Sequence, residues 1–155
     1  MPERCWTQYT SAMPHRLTVA DVMTRDVITL DREDSLADAR RSMDQARVRH
    51  LPVVAGGRLV GLITHRDLLA ASLSVFSGAG EREQRRLFAQ IPVRELMHDA
   101  VGVTPTTPVR EAARILIESK FGCLPVVGDG DVLVGIVTEA DFVRLAATML
   151  DAIQA

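Results

Sequence analysis

Cysteine is nearly absent: Cys5 and Cys123 are the only two, separated by most of the chain. That scarcity excludes a disulfide framework and a cysteine-rich metal site. Cys123, at the start of an apolar run, reads as a buried structural thiol and not as a nucleophile. Lysine is scarcer still, with Lys120 alone among 18 basic residues. No charge of one sign dominates: the net charge is −2 and the arginines are scattered, so the footprint of a nucleic-acid-binding surface is missing. No apolar run approaches the ~20 residues that span a bilayer. The opening "MPERCWTQYTSAMPHRL" lacks the apolar stretch of a secretion signal, and a cytoplasmic protein without a membrane partner is expected. G-x-S-x-G, G-x-G-x-x-G and the phosphate-loop lysine motif are all missing. His15, His50, His65 and His98 show no ligand spacing, so no metal site is expected. Nothing here points to an enzyme.

What is present is a globular composition, 47% hydrophobic and 25% charged over 155 residues, and an internal repeat. "GLITHRD" at Gly61–Asp67 returns as "GIVTEAD" at Gly135–Asp141, 74 positions later. "VADVM" (Val19–Met23) returns as "VRELM" (Val93–Met97), and "HLPVV" (His50–Val54) as "CLPVV" (Cys123–Val127). Two copies of this length make a duplicated half-domain, not a solenoid.

Each copy predicts the order β-α-β-β-α after a short helical turn, an α+β fold. "VITL" (Val27–Leu30) reads as a β-branched strand. Leu36, Ala39 and Met43 mark one helix face. In the second copy Thr107 and Pro108 read as the cap and first-turn proline of the matching helix. Ala55-Gly56-Gly57 and "GDGD" (Gly128–Asp131) read as hairpin turns. The expected organisation is an N-terminal arm over 1–17 carrying Trp6 and Tyr9, a first repeat over 18–76, a linker with a short helix over 77–90, and a second repeat over 91–155. Neither half can cover its own apolar sheet face, so the two should pack sheet to sheet about a pseudo-twofold axis.

The T-x-x-D within the repeated stretch has a plain reading: threonine and aspartate close a capping box at a helix start. The same place offers more. A helix N-terminus attracts anions, and a carboxylate beside it can accept two hydrogen bonds from a vicinal diol such as a ribose. Hydroxyl, helix terminus and carboxylate together suit the sugar–phosphate half of a nucleotide, and they occur twice.

In this order, "DVMTRDVITL", "RHLPVV" and "GLITHRD", then "ELMHDAVGV", "CLPVV" and "GIVTEAD", the chain resembles the CBS-domain family, whose paired repeats form a Bateman module. The resemblance spans about Thr18 to Met149 and implies tandem CBS repeats with two clefts for adenosine compounds: AMP, ADP, ATP or S-adenosylmethionine. By resemblance Asp67 and Asp141 are ribose carboxylates, and Thr64 and Thr138 lie near ribose and phosphate. Met23 and Ile28, with Met97 and Gly102, stand where the family lines its adenine slot, although methionine also fills irregular core gaps. Arg49 and His50 would reach the phosphate beside Asp141, opposed by Glu139. Asp67 would have His65 and Arg66 and no cation from the second copy, where Gly122 and Cys123 replace the basic pair. The expectation is a stand-alone, non-catalytic regulatory module that needs no cofactor. It would bind an adenine nucleotide, form a homodimer through its two C-terminal helix faces, and act on a target protein the sequence does not name. The rival expectation is an interaction module without ligand.

Overall fold

The computed structural model describes residues 17–75 and 80–154. The arm with Trp6 and Tyr9, and most of the "SGAG" break, lie outside the described residues. In chain order the elements are α1 (Val19–Val22), β1 (Leu30–Asp31), α2 (Leu36–Ala46), β2 (His50–Ala55), β3 (Arg58–Thr64), α3 (His65–Val75) and α4 (Glu81–Phe88). After a single 3-10 turn at Val93–Glu95 come α5 (Val109–Ser119), β4 (Cys123–Val127), β5 (Leu133–Thr138) and α6 (Glu139–Gln154).

Local chemistry accounts for the boundaries. Ser35 caps α2, its hydroxyl taking the Asp38 N–H at 3.2 Å while the Asp38 carboxylate takes the Ser35 N–H at 3.1 Å. The Ser35 hydroxyl, which also donates to the Asp38 carboxylate at 2.6 Å, and then the Ser35 N–H hold the Asp38 carboxyl below its ordinary value. Gly56 and Gly57 carry the positive φ angles, 57° and 79°, that a two-residue hairpin turn requires. The matching turn in the second repeat is a 3-10 turn at Asp129–Asp131.

Two sequence expectations are corrected. Val27–Leu30 does not form a full strand: pairing begins at Leu30, which lies opposite Val53 in parallel register. In the second repeat this strand shrinks to a single bridge between Val103 and Val126. There Thr107 turns the chain back at once, its hydroxyl taking the Thr104 N–H at 3.0 Å, and Pro105 and Pro108 have no N–H to extend a ladder. Pro108, placed in the first helical turn from sequence, instead occupies the cap position of α5, one residue earlier in the helix frame.

The repeats exchange their leading segments. Val19 and Met23 are buried with Ala112, Leu116, Leu124 and Val137 of the second repeat. Phe88 of the linker helix and Val93, at the start of the second repeat, are buried with Leu36, Met43, Leu51 and Ile63 of the first. The exchange is symmetric. Thr24 and Ile136 exchange backbone hydrogen bonds at 2.9 Å each way, and His98 and Leu62 do the same at 3.0 and 2.9 Å. Arg58 bridges Val132, its own counterpart in the other copy, so this contact lies on the pseudo-twofold axis. Leu62, Cys123 and Ile136 form a small buried cluster between the two sheets.

Candidate functional site

Each T-x-x-D sits where an antiparallel hairpin runs directly into a helix. His50 lies opposite Thr64 in the β2–β3 register, and Cys123 opposite Thr138 in β4–β5. The His65 N–H donates to the Arg49 carbonyl at 2.8 Å, and the Glu139 N–H to the Gly122 carbonyl at 3.3 Å. Strand start and helix start are thereby tied together, and the residues before LPVV are placed beside the helix N-terminus. Asp67 Oδ2 accepts the Thr64 N–H and the Thr64 hydroxyl, both at 2.7 Å. Asp141 Oδ2 accepts the Thr138 N–H at 2.7 Å and its hydroxyl at 3.0 Å. The Thr64 hydroxyl also takes the Asp67 N–H at 3.3 Å, which closes the capping box in the first motif; in the second the aspartate's half of it is present.

Two cavities open at these junctions. The larger, about 620 Å³, is lined by Thr64, His65, Arg66 and Asp67 together with the second repeat's His98, Lys120 and Phe121. Its apolar wall comes from Leu62, Ala100, Val101 and Phe121. The smaller, about 420 Å³, brings Ile28 and Thr138 together with Arg47, Glu139 and Arg144. Arg49, His50, Gly122 and Glu139 line both, forming a common wall. The His50 ring fills the space a side chain at residue 122 would need: its Nε2 lies 2.5 Å from where a Cβ on Gly122 would stand. Burial holds the His50 imidazole below its ordinary value, against the pull of Glu139 and Asp67.

The expectation that Asp67 has no cation from the second copy is overturned by Lys120, and His98 stands in the same cavity. His98 arrives because the chain after Met97 crosses to pair with β3, and its Nε2 lies 3.4 Å from Asp67 Oδ2. Lys120 arrives from the left-handed end of α5, at φ 56°, and Arg47 occupies the equivalent end of α2 at φ 55°. Each repeat thus sends a helix-end cation into the other repeat's cleft. The signal was present in the sequence, because a basic residue directly after the last turn suits a helix C-terminus, but spacing alone did not aim it at the cleft.

Not every expected residue lines a cavity. Ile28 lines the smaller one, but Met23 and Met97 pack against strand glycines. Gly102 borders a separate hollow of about 370 Å³ with Val60, Asp99 and Val127. Asp141 is buried, with 6% of its surface exposed, and does not line the cavity that Thr138 does. Cys123 is buried and its thiol is pushed up to about 12, a protonated structural group. Among the described residues no cluster of His, Cys, Asp and Glu could hold a metal ion, and no helix is long and apolar enough to cross a membrane.

The CBS domain family model matches residues 19–74 and again 93–148. An inosine-5'-monophosphate dehydrogenase of Korarchaeum cryptofilum is 36% identical over 118 residues, 76% of this chain. The chain spans only part of the first curated relatives it matches, 22% of that dehydrogenase and 47% of a second relative, protein MJ1225 of Methanocaldococcus jannaschii. Among solved structures, the CBS domain pair of protein MJ0100, in complex with 5'-methylthioadenosine and S-adenosylmethionine, superposes with a TM-score of 0.74. It is 26% identical, over 87% of this chain and 99% of that one. CBSX2 of Arabidopsis thaliana, in complex with AMP, superposes with a TM-score of 0.71 at 32% identity, over 85% of this chain and 97% of that one.

Proposed function

The chain belongs to the CBS domain family, and on that footing we propose that its two clefts sense adenosine compounds and that the module regulates a target protein without catalysis of its own. The arrangement around Asp67 carries this reading. A part-exposed carboxylate stands at a helix N-terminus, with Arg49, Arg66 and Lys120 about the same cavity and the apolar Leu62, Ala100 and Phe121 on its wall. A ribose diol suits the carboxylate, a phosphate suits the helix terminus and cations, and an adenine suits the apolar wall. The adenosine compounds held by the MJ0100 pair and by CBSX2 support the same class of ligand. Met23, Met97 and Gly102 then act behind the site, as packing, and Ile28 is the adenine-side contact of the smaller cleft.

The ligand-free interaction module keeps one observation in its favour: both aspartates are already employed as caps. A thermal-shift panel of AMP, ADP, ATP and S-adenosylmethionine separates the two. A ligand that binds only the folded state raises its melting temperature by mass action; no shift with any of them leaves the interaction module.

The outer faces of α3 and α6 leave Leu69, Leu73, Val143, Leu150 and Ile153 exposed, by 45% to 75%. These helices occupy equivalent places in the two repeats, so a second copy of the chain can meet the pair by a closed twofold contact. Homodimerisation through α3 and α6 is the arrangement in which a ligand between the repeats could alter what a target protein meets.

A further inference from the structure

The two ribose carboxylates occupy equivalent positions, yet their surroundings differ. Asp141 has both oxygens engaged: Oδ2 takes the Thr138 N–H and hydroxyl, and Oδ1 takes Arg144 Nη2 at 2.9 Å. Arg144 covers it from outside, with its own side chain 70% exposed and that of Asp141 only 6%. Around Asp67 the contacts all run to Oδ2, from Thr64 and from His98, and among the described residues none runs to Oδ1. The position equivalent to Arg144 is Ala70, which has no cation to offer. Asp67 is 26% exposed and lines its cavity, whereas the smaller cavity is lined by Arg144 and not by Asp141.

Resting on the adenosine-sensing reading, we infer that the Asp67 cleft is the primary nucleoside site and that Arg144 is a specificity residue that latches the Asp141 cleft. A ribose diol needs a carboxylate oxygen with lone pairs to spare. Asp67 Oδ1 offers one at once. At Asp141 the diol must first displace a charge-assisted guanidinium bond, of the kind that is stronger than a neutral one. A phosphorylated ligand can repay the displaced Arg144 with a new anionic partner; a neutral nucleoside cannot. The latch therefore weighs most heavily against adenosine itself.

Calorimetry with adenosine, on the wild type and on single variants, tests this. The wild type should show two phases. Asp67→Ala should remove the tighter one, while Asp141→Ala should leave it in place. Arg144→Ala, a change on an exposed side chain, should strengthen the weaker phase by about fivefold, the upper range for an exposed ion pair. Loss of the tighter phase in Asp141→Ala, weaker adenosine binding in Arg144→Ala, or one class of equivalent sites in the wild type overturns the inference while leaving the sensing reading intact. No heat with adenosine or with AMP removes that reading, and this inference with it. Histidine NMR on the wild type answers the same question without relying on a carboxylate variant. Of the two clefts, His65 and His98 line the larger and not the smaller, so the first equivalent of adenosine should shift their imidazole signals. An early shift confined to His50 overturns the assignment.

Discussion

The Sδ atom of Met23 lies 2.6 Å from the point where a Cβ on residue 135 would stand, and Met97 Sδ lies 2.8 Å from the corresponding point on residue 61. Each methionine belongs to one repeat and each glycine to the other. The glycine that begins both "GLIT" and "GIVT" is therefore not a turn residue; it is the absence of a side chain where the exchanged segment crosses the strand. Backbone follows sulfur, with Thr24 pairing to Ile136 and His98 to Leu62 directly beyond.

Gly135→Ala should destabilise the fold by about 1–3 kcal/mol, the range for overpacking a filled core. The Thr24 carbonyl, 3.0 Å from the same point, leaves the methionine little room to yield. Gly61→Ala should do the same at the other crossing. Urea unfolding measures both, and pairing Gly135→Ala with Met23→Ala should recover part of the loss, because the two residues are in contact. Additive losses in the double variant would place the cost elsewhere.

Much of this architecture was legible in the sequence because it rests on local chemistry repeated at a fixed interval. The Thr64–Asp67 cap, the Gly56-Gly57 turn and the α2 face at Leu36, Ala39 and Met43 all follow from neighbours within a few residues. The exchange of leading segments was not legible, since Met23 reads as part of its own repeat until its contacts are seen. Lys120 and His98 were missed for the same reason: their place in the Asp67 cleft depends on long-range crossing. The Arg144 latch required knowing that Asp141 turns its second oxygen outward along α6 while Asp67 has Ala70 in that position.

Lys120 holds a left-handed backbone, φ 56°, at the end of α5. A non-glycine residue there bears a cost of roughly 1–2 kcal/mol that glycine avoids. Lys120→Gly should raise stability by about 1 kcal/mol and at the same time weaken ATP binding by about threefold, with a smaller loss for adenosine. Denaturant midpoints and calorimetry read the two effects separately. A variant that gains stability with no loss of ATP affinity would remove Lys120 from the phosphate end.

His50 is held below its ordinary value chiefly by burial, and Arg49 adds to that while Glu139 and Asp67 oppose it. The unfolded chain then binds this proton more readily than the folded one. Stability on account of His50 is complete above about pH 6.5 and is lost as the pH falls through that value toward the lower folded one. Melting temperatures between pH 7.5 and pH 5 should decline less steeply in His50→Gln than in the wild type. Parallel curves would mean the imidazole titrates alike in both states.

The apolar residues on α3 and α6 predict a dimer. Light scattering at micromolar concentration should give about twice the 17.0 kDa of one chain. Leu73→Glu with Val143→Glu, both on exposed positions, should halve that mass without changing the helical content seen by circular dichroism. A monomeric wild type would leave these faces to a different partner.

Calorimetric titration of AMP into the wild type and into the Asp67→Ala, Asp141→Ala double variant tests the account most directly. Losing a helix cap costs only about 1 kcal/mol, small beside the ~5–15 kcal/mol of a typical domain, so a cooperative melt can certify the variant as folded. The account predicts binding heat in the wild type and none in the folded double variant. Equal AMP affinity in the two proteins would contradict it.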